Sequence, residues 1–254
     1  MTSPLLVEIR GNVQIMTLNR PEARNAATLE MSEGMVAALD ELDANPALSA
    51  GIITGAGDTF CAGMDLKGFL QGKRPSVPGR GFGGVTMRPP KKPLIAAVEG
   101  YALAGGFEMV LACDLIVASR EAKFGLPEVR RGLVASAGGL LRLPKRLPYH
   151  VAMECILTGE MFDAERAAQW GLINRLTDVG GALDAAITLA QTVAANGPLA
   201  LVASKQIAGE SDDWTQADMW QRQATIATPV FESQDAREGA SAFAEKRKPV
   251  WQGK

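Results

Sequence analysis

Five short runs of apolar, β-favouring residues constrain this chain more than any other feature. They are VQIMTLN (13–19), GIITG (51–55), LIAAVEG (94–100), DLIVAS (114–119) and GLINRL (171–176). Each is nearly continuous in its apolar character, which marks a strand covered on both faces rather than one with a face in water. Longer helical patterns stand between them. In TLEMSEGMVAALDELDANP, residues Met31, Met35, Ala38, Leu39 and Leu42 share one helical stripe, Thr28 sits where an N-cap belongs, and Pro46 lies beyond the end. After residue 180 the pattern is helical almost throughout, in GALDAAITLAQTVAANG, PLALVASKQIAGE, DDWTQADMWQRQATIA and SQDAREGASAFAEKRK. The expectation is an α/β core with the active site over residues 1–180 and a helical C-terminal region over 181–254.

Composition removes several function classes. The formal net charge of −2 over 254 residues offers no broad attraction to nucleic acid or an anionic membrane. No apolar run approaches the roughly 20 residues of a spanning helix, and MTSPLLVEIRGN lacks the basic and apolar regions of an export signal. Cys61, Cys113 and Cys155 are odd in number and far apart, so they read as reduced, packed thiols of a cytoplasmic protein. The single histidine, His150, and the lack of a CxxC pair speak against a metal site. His150 reads as a surface or subunit-contact residue, which leaves carboxylates and backbone amides to carry the chemistry.

One connection is long, KGFLQGKRPSVPGRGFGGVTMRPPKK over 67–92. Its charges are Lys67, Lys73, Arg74, Arg80, Arg88, Lys91 and Lys92, with no acid among them. A loop of this length and Gly/Pro content is mobile or functional. Two readings stand open: a solvated basic loop, or a surface for a polyanionic small molecule.

The stretch GYALAGGFEMVLACDLIVAS (100–119) places Glu108 among core-like residues, directly after Gly105 and Gly106. A carboxylate there is costly unless paired, and otherwise its pKa rises. Paired glycines weaken a helix but let backbone approach a ligand. A second glycine stretch, GAGDTFCAGMDLKG (55–68), also follows a strand, and neither fits a phosphate or dinucleotide fingerprint. An N–H just after Gly63 and another near Gly105 would make an oxyanion site if they converged. Glu128, in AKFGLPEVRRGL, follows Glu108 by twenty residues with the strand DLIVAS between them, so both acids can line one pocket. Two carboxylates beside such a site can move protons next to a carbonyl without metal or histidine.

The stretches FCAGMDL, KPLIAAVEGYALAGGFEMVLACDLIVAS, AKFGLPEVRRGL and AGGLLRLPKRLP resemble the crotonase, or enoyl-CoA hydratase/isomerase, superfamily. RPEARNA near the start and AFAEKRKPVW near the end extend the resemblance over essentially the whole chain. It implies a spiral of ββα turns, a C-terminal helical region used in oligomerisation as a homotrimer or dimer of trimers, an acyl-CoA thioester substrate and no separate cofactor. Matched position by position, Met64 and Gly105 supply the two backbone N–H groups of the oxyanion hole. Ala23, Arg24, Ala62, Asp65 and Leu66 fall in CoA-contacting stretches, and Glu108 and Glu128 match the two catalytic glutamates of hydratases.

A chain that keeps both acids is expected to add water across the 2,3 double bond of an enoyl-CoA. Glu108 then activates water at the β-carbon and Glu128 exchanges a proton with the α-carbon. There are two departures: Ala104 stands where many relatives have a third glycine, which narrows the turn but leaves Gly105 in place, and Ala135 where proline is frequent, which is expected to reshape the acyl pocket. AGMDLKGFLQG, GFGG and AFAEKRKPVWQGK are also similar to carnitinyl-CoA dehydratases. A quaternary ammonium substrate would want aromatic lining, for which Phe69, Phe82 and Trp170 are candidates. The basic loop favours the general hydratase over that branch. An enoyl-CoA isomerase and a non-catalytic acyl-CoA-binding protein complete the alternatives.

Overall fold

The computed structural model describes residues 3–254. Its elements, in chain order, are β1 (Leu5–Arg10), β2 (Val13–Leu18), α1 (Leu29–Ala44), β3 (Ala50–Gly55), α2 (Leu66–Leu70), β4 (Ser76–Val77), β5 (Gly81–Phe82), β6 (Leu94–Val98), β7 (Tyr101–Leu103), α3 (Gly105–Ala112), β8 (Leu115–Ser119), β9 (Lys123–Gly125), α4 (Gly139–Arg146), α5 (Tyr149–Thr158), β10 (Phe162–Asp163), α6 (Ala164–Gln169), β11 (Arg175–Thr177), α7 (Ala182–Ala194), α8 (Pro198–Glu210), α9 (Met219–Phe231) and α10 (Gln234–Glu245).

The main sheet runs β1-β2-β3-β6-β8-β11, with β1 antiparallel to β2 and every other pair parallel. Alternate residues of its strands enter two different cores, as the continuous apolar runs require. Met16, Leu18, Ile53, Ala96, Val98 and Ala118 face the larger core with α1, α3 and α4. Val13, Ile15, Ile52, Ile95, Ala97 and Val117 face Ala182, Ala186 and Ala190 of α7. The strands therefore end near residue 180, while α7 beyond it closes the second face of the sheet. α1 begins as expected, with the Thr28 hydroxyl accepting from Met31 N–H at 3.2 Å and the predicted stripe buried.

A second, smaller layer of strands, β7, β9 and β10, explains how the chain spirals. β6 leads at once into β7 and then α3; β8 leads into β9 and then into a short 3-10 turn over Pro127–Arg131. The turn before them has the same form in miniature, because β3 leads to Cys61, which bridges Ala102 of β7, and then to α2. Three successive ββα turns thus place Cys61, Ala102 and Phe124 side by side across the second layer.

The 67–92 connection is built rather than mobile over its second half. β4 and β5 form a hairpin, and Arg80 is buried with its Nη1 donating to Asp40 at 2.7 Å. A Cβ on Gly83 would meet Met109 Sδ at 2.6 Å and one on Gly84 would meet the Ser32 carbonyl at 2.3 Å, so the GFGG tip is wedged against α3 and α1. Lys91 and Lys92 are turned to Asp43 through their backbone N–H groups. The basic residues left exposed include Lys67, Lys73, Arg74 and Arg88. No single helix among the described residues is long and apolar enough to cross a membrane. The three cysteines are buried and unpaired, and burial pushes the Cys61 thiol up to about 11.

Candidate active site

Each site residue lies a short step past the second-layer strand of its own turn. Met64 is three residues beyond Cys61, Gly105 three beyond Ala102, and Glu128 four beyond Phe124. At these points the chain leaves the second layer and starts a helix, so the register of the layer brings three helix beginnings together. A Cβ on Gly63 would stand 3.7 Å from Gly105 N, which shows how closely the first and second turns approach. The neighbours of Met64 are paired, with Ala27 N–H donating to Gly63 O and Asp65 N–H to Ala27 O. The Met64 and Gly105 N–H groups donate to no backbone carbonyl among the described residues. Two free donors on adjacent turns, one at the first position of α3, suit an oxygen that gains negative charge.

The paired glycines have steric causes. A Cβ on Gly105 would lie 2.3 Å from Phe82 Cζ, and one on Gly106 would lie 2.2 Å from the Cys61 carbonyl oxygen. Only glycine lets α3 start in contact with both Phe82 of β5 and the preceding turn.

Glu108 occupies the first turn of α3 and is 3% exposed. Its Oε1 accepts from Ala137 N–H at 2.7 Å and Gly139 N–H at 2.9 Å. Burial pushes its carboxyl above the ordinary carboxylate range, while the two N–H donors and the Arg142 charge pull the other way. Glu128 is partly buried at the start of its 3-10 turn, and its Oε2 has no partner. Burial, reinforced by the charge of Glu108, pushes it up to about 7. The two acids are thus differently supported: one is held by two amides from another turn, and the other keeps one oxygen without a partner.

The remaining matched residues sit around the first turn. Asp65 is the N-cap of α2, accepting from Lys67 and Gly68 N–H, and pairs with Arg20 at 2.9 Å. The Gly68 amide and Arg20 hold its carboxyl below the usual range. Its carboxylate is committed to shaping the loop, and Leu66 beside it is exposed. Ala62 N–H donates to Arg24 O, and Arg24 takes a left-handed conformation with its guanidinium 5.9 Å from the Tyr101 ring centre. Ala23 closes the 3-10 turn before it. A cleft of about 1020 Å³ opens along Arg20, Ala27, Asp65, Lys67 and Lys73.

Sequence reasoning missed the carboxylate's holders, Ala137 and Gly139. The signal was the pair Gly138–Gly139 at the start of α4: Gly138 has φ +101°, and a Cβ on Gly139 would lie 3.1 Å from Glu108 Oε1. Of the aromatic candidates, Phe82 is buried against Gly105, and Trp170 packs on Phe162 and Arg166. His150 is exposed on α5 beside Tyr149, away from these groups. Among the described residues no cluster of three His, Cys, Asp or Glu is placed to hold a metal.

Residues 8–254 match the family described as enoyl-CoA hydratase/isomerase. The chain is 42% identical to the enoyl-CoA hydratase EchA19 of Mycobacterium tuberculosis, over 98% of this chain and 96% of that one. It is 39% identical to a carnitinyl-CoA dehydratase of Proteus mirabilis over the full length of both. The crystal structure of enoyl-CoA hydratase EchA1 from Mycobacterium marinum superposes with a TM-score of 0.98 at 56% identity, covering all of both chains.

Proposed function

The chain belongs to the enoyl-CoA hydratase/isomerase family, and on that premise we propose that Met64, Gly105, Glu108 and Glu128 add water across the 2,3 double bond of an enoyl-CoA thioester. The observation that carries the assignment of roles is the unequal support of the two buried acids. Glu108 keeps two amide donors and a nearby guanidinium, so it is the group suited to be ionised. Glu128 has an orphaned oxygen and a pKa of about 7, so it is the group suited to hold a proton near neutral pH. Neighbouring carboxyls pushed apart in this way make a base and an acid.

The thioester oxygen rests between the Met64 and Gly105 N–H groups, which stabilise the charge that develops on it. Water attacks the β-carbon and its proton passes to Glu108, while the C–C π electrons move onto the thioester as an enolate. The enolate collapses by taking the Glu128 proton onto the α-carbon. Each turnover leaves Glu108 protonated and Glu128 ionised, so one proton must return from Glu108 to Glu128 or through water. CoA lies along the cleft past Asp65 and Leu66, with Ala23, Arg24 and Ala62 along its path and Lys67 and Lys73 toward its phosphates. The enzyme works in the cytoplasm on fatty acyl chains, as a trimer or dimer of trimers joined through the C-terminal helices.

The test is loss of enone absorbance on crotonyl-CoA, longer enoyl-CoAs and crotonobetainyl-CoA. Turnover of the simple enoyl-CoAs is expected, because Phe82 and Trp170 are occupied in packing rather than assembled as a cage. Activity on crotonobetainyl-CoA alone would move the substrate to the carnitine branch. Glu108→Gln and Glu128→Gln are each expected to lower kcat by about 10² to 10⁴ with CoA-ester binding retained. A fully active variant removes that residue from the mechanism.

A further inference from the structure

Arg142, in the first turns of α4, touches two parts of the molecule, the Thr86 carbonyl and the loop that holds Glu108. Its Nη2 donates to the Thr86 carbonyl at 2.6 Å, which ties α4 to the loop that follows the β4–β5 hairpin. Its Nη1 lies against Gly138, where a Cβ would stand only 2.2 Å away. Gly138 is the residue between the two amides that hold the Glu108 carboxylate. The guanidinium therefore packs on the outside of the backbone loop whose inner side binds Glu108.

Burying a guanidinium is costly unless a negative charge offsets it. Burial and the like charge of Arg146 both act against the Arg142 cation, and Glu108 and Cys113 are the groups that favour it. The Cys113 thiol is pushed up to about 12 and is neutral near pH 7, so Glu108 is the charge that remains. Arg142 is partly buried, and the buried guanidinium of Arg80 is turned to Asp40 and the Gly84 carbonyl instead. Glu108 is faced by Glu128 from the 3-10 turn and by Arg142 from α4.

We propose that Arg142 is a positioning residue for Glu108: held on the Thr86 carbonyl and against Gly138, it keeps the Ala137–Gly139 loop in place and supplies the positive charge that makes Glu108 the base of the pair. This rests on the role given to Glu108 above. The hairpin of the basic connection then belongs to the support of the active site, because Phe82 of β5 packs on Gly105 and Gly83 on Met109 while the Thr86 carbonyl anchors Arg142.

The experiment compares the full-length wild type with Arg142→Gln and Arg142→Lys by two readouts: the kcat–pH profile on crotonyl-CoA, and the carboxyl ¹³C titration of Glu108, assigned by its disappearance in Glu108→Gln. Arg142→Gln is expected to move the acid limb and the Glu108 titration up by about one unit, a tenfold loss of kcat on that limb, with KM changed less than about threefold. Arg142→Lys keeps the charge and is expected to restore most of that shift. A folded Arg142→Gln protein with an unmoved limb and an unmoved Glu108 titration overturns the proposal. If Arg142→Gln does not fold, wild type and Arg142→Lys decide, because Glu108 titrating above Glu128 in both overturns it. A wild type silent on every enoyl-CoA would sink the hydratase reading, while the carboxyl titration would still decide the role of Arg142.

Discussion

Ala104 holds φ +52° and ψ −128°, a backbone region that an L side chain occupies only under strain. It is the residue that turns the chain from β7 into α3, and its N–H is fixed to the Gly125 carbonyl of β9. The departure from a third glycine thus strains the turn and leaves the Gly105 donor in place. Ala104→Gly is expected to stabilise the protein by about 1 kcal/mol, the relieved strain less the entropy a glycine adds to the unfolded chain. Calorimetric melting measures this as a rise of about 2–4 °C; a fall would show that the Ala104 methyl contributes more by packing than it costs in strain. Gly106→Ala should be far worse, because the obstacle is the Cys61 backbone carbonyl and not a side chain that can rotate. Glu128 shows a different tension. Its folded pKa of about 7 lies above the ordinary value of 4.5, so the fold is favoured below pH 4.5 and that contribution is lost as pH rises through 7. Glu128→Gln should therefore raise the melting temperature at pH 8 and leave it nearly unchanged at pH 4. An equal gain at both values would mean that packing, not ionisation, is responsible.

At the scale of elements, the C-terminal tail is held by carboxylates of α10. Asp235 is buried and accepts from Gln252 N–H at 2.7 Å and Gly253 N–H at 2.9 Å. Glu238 accepts from Val250 N–H and is gripped by both Nη atoms of Arg247, and Trp251 Nε1 donates to the Ala195 carbonyl. The Arg247 guanidinium and the Val250 amide lower Glu238 to about 2. A depressed carboxyl contributes its stability above the ordinary value and loses it as pH falls toward the folded one. Protection of the amides of residues 250–254 against hydrogen exchange, relative to their intrinsic rate at each pH, is therefore expected to fall between pH 4.5 and 2, and Asp235→Ala to produce the same loosening at pH 7. Unchanged exchange in Asp235→Ala would place the anchor on Trp251 instead. Nothing in the KRKPVWQGK sequence announced this clamp, because its partners are nine to fifty-six residues away, on one helix and just past the end of α7.

At the scale of the whole molecule, α8 and α9 have no fully buried side chain within this chain, and Trp220, Phe231 and Phe243 are 68%, 81% and 88% exposed. Large apolar residues left in water on adjoining helices are the surface that the proposed trimer or dimer of trimers would cover. Sedimentation equilibrium is expected to give three copies or six, and Phe231→Asp with Phe243→Asp to give smaller species. A monomeric wild type would remove the C-terminal helices from assembly. The α/β core was legible in the sequence because its runs are apolar throughout and only a two-sided burial accounts for that. The small second-layer strands were not, since three-residue strands such as Tyr101–Leu103 carry no period to read. The 67–92 connection was legible as unusual but not as structural, because the use of GFGG depends on Met109, Ser32 and Gly105 elsewhere in the chain.

The sequence by itself determined the central strands β2, β3, β6 and β8, the helical stripe of α1, the two glycine turns and the presence of an acid where an apolar residue would be ordinary, but not β1, and β11 only in part. These follow from local periodicity, steric freedom and the cost of burying charge, all of which act over a few residues. Only the tertiary structure decided that Glu108 is held by Ala137 and Gly139, that Glu128 keeps an oxygen without a donor, and that Arg142 stands behind the loop between them. A carboxyl group's protonation depends on the charges and amides within a few ångströms, and the spiral brings those from turns twenty to forty residues apart.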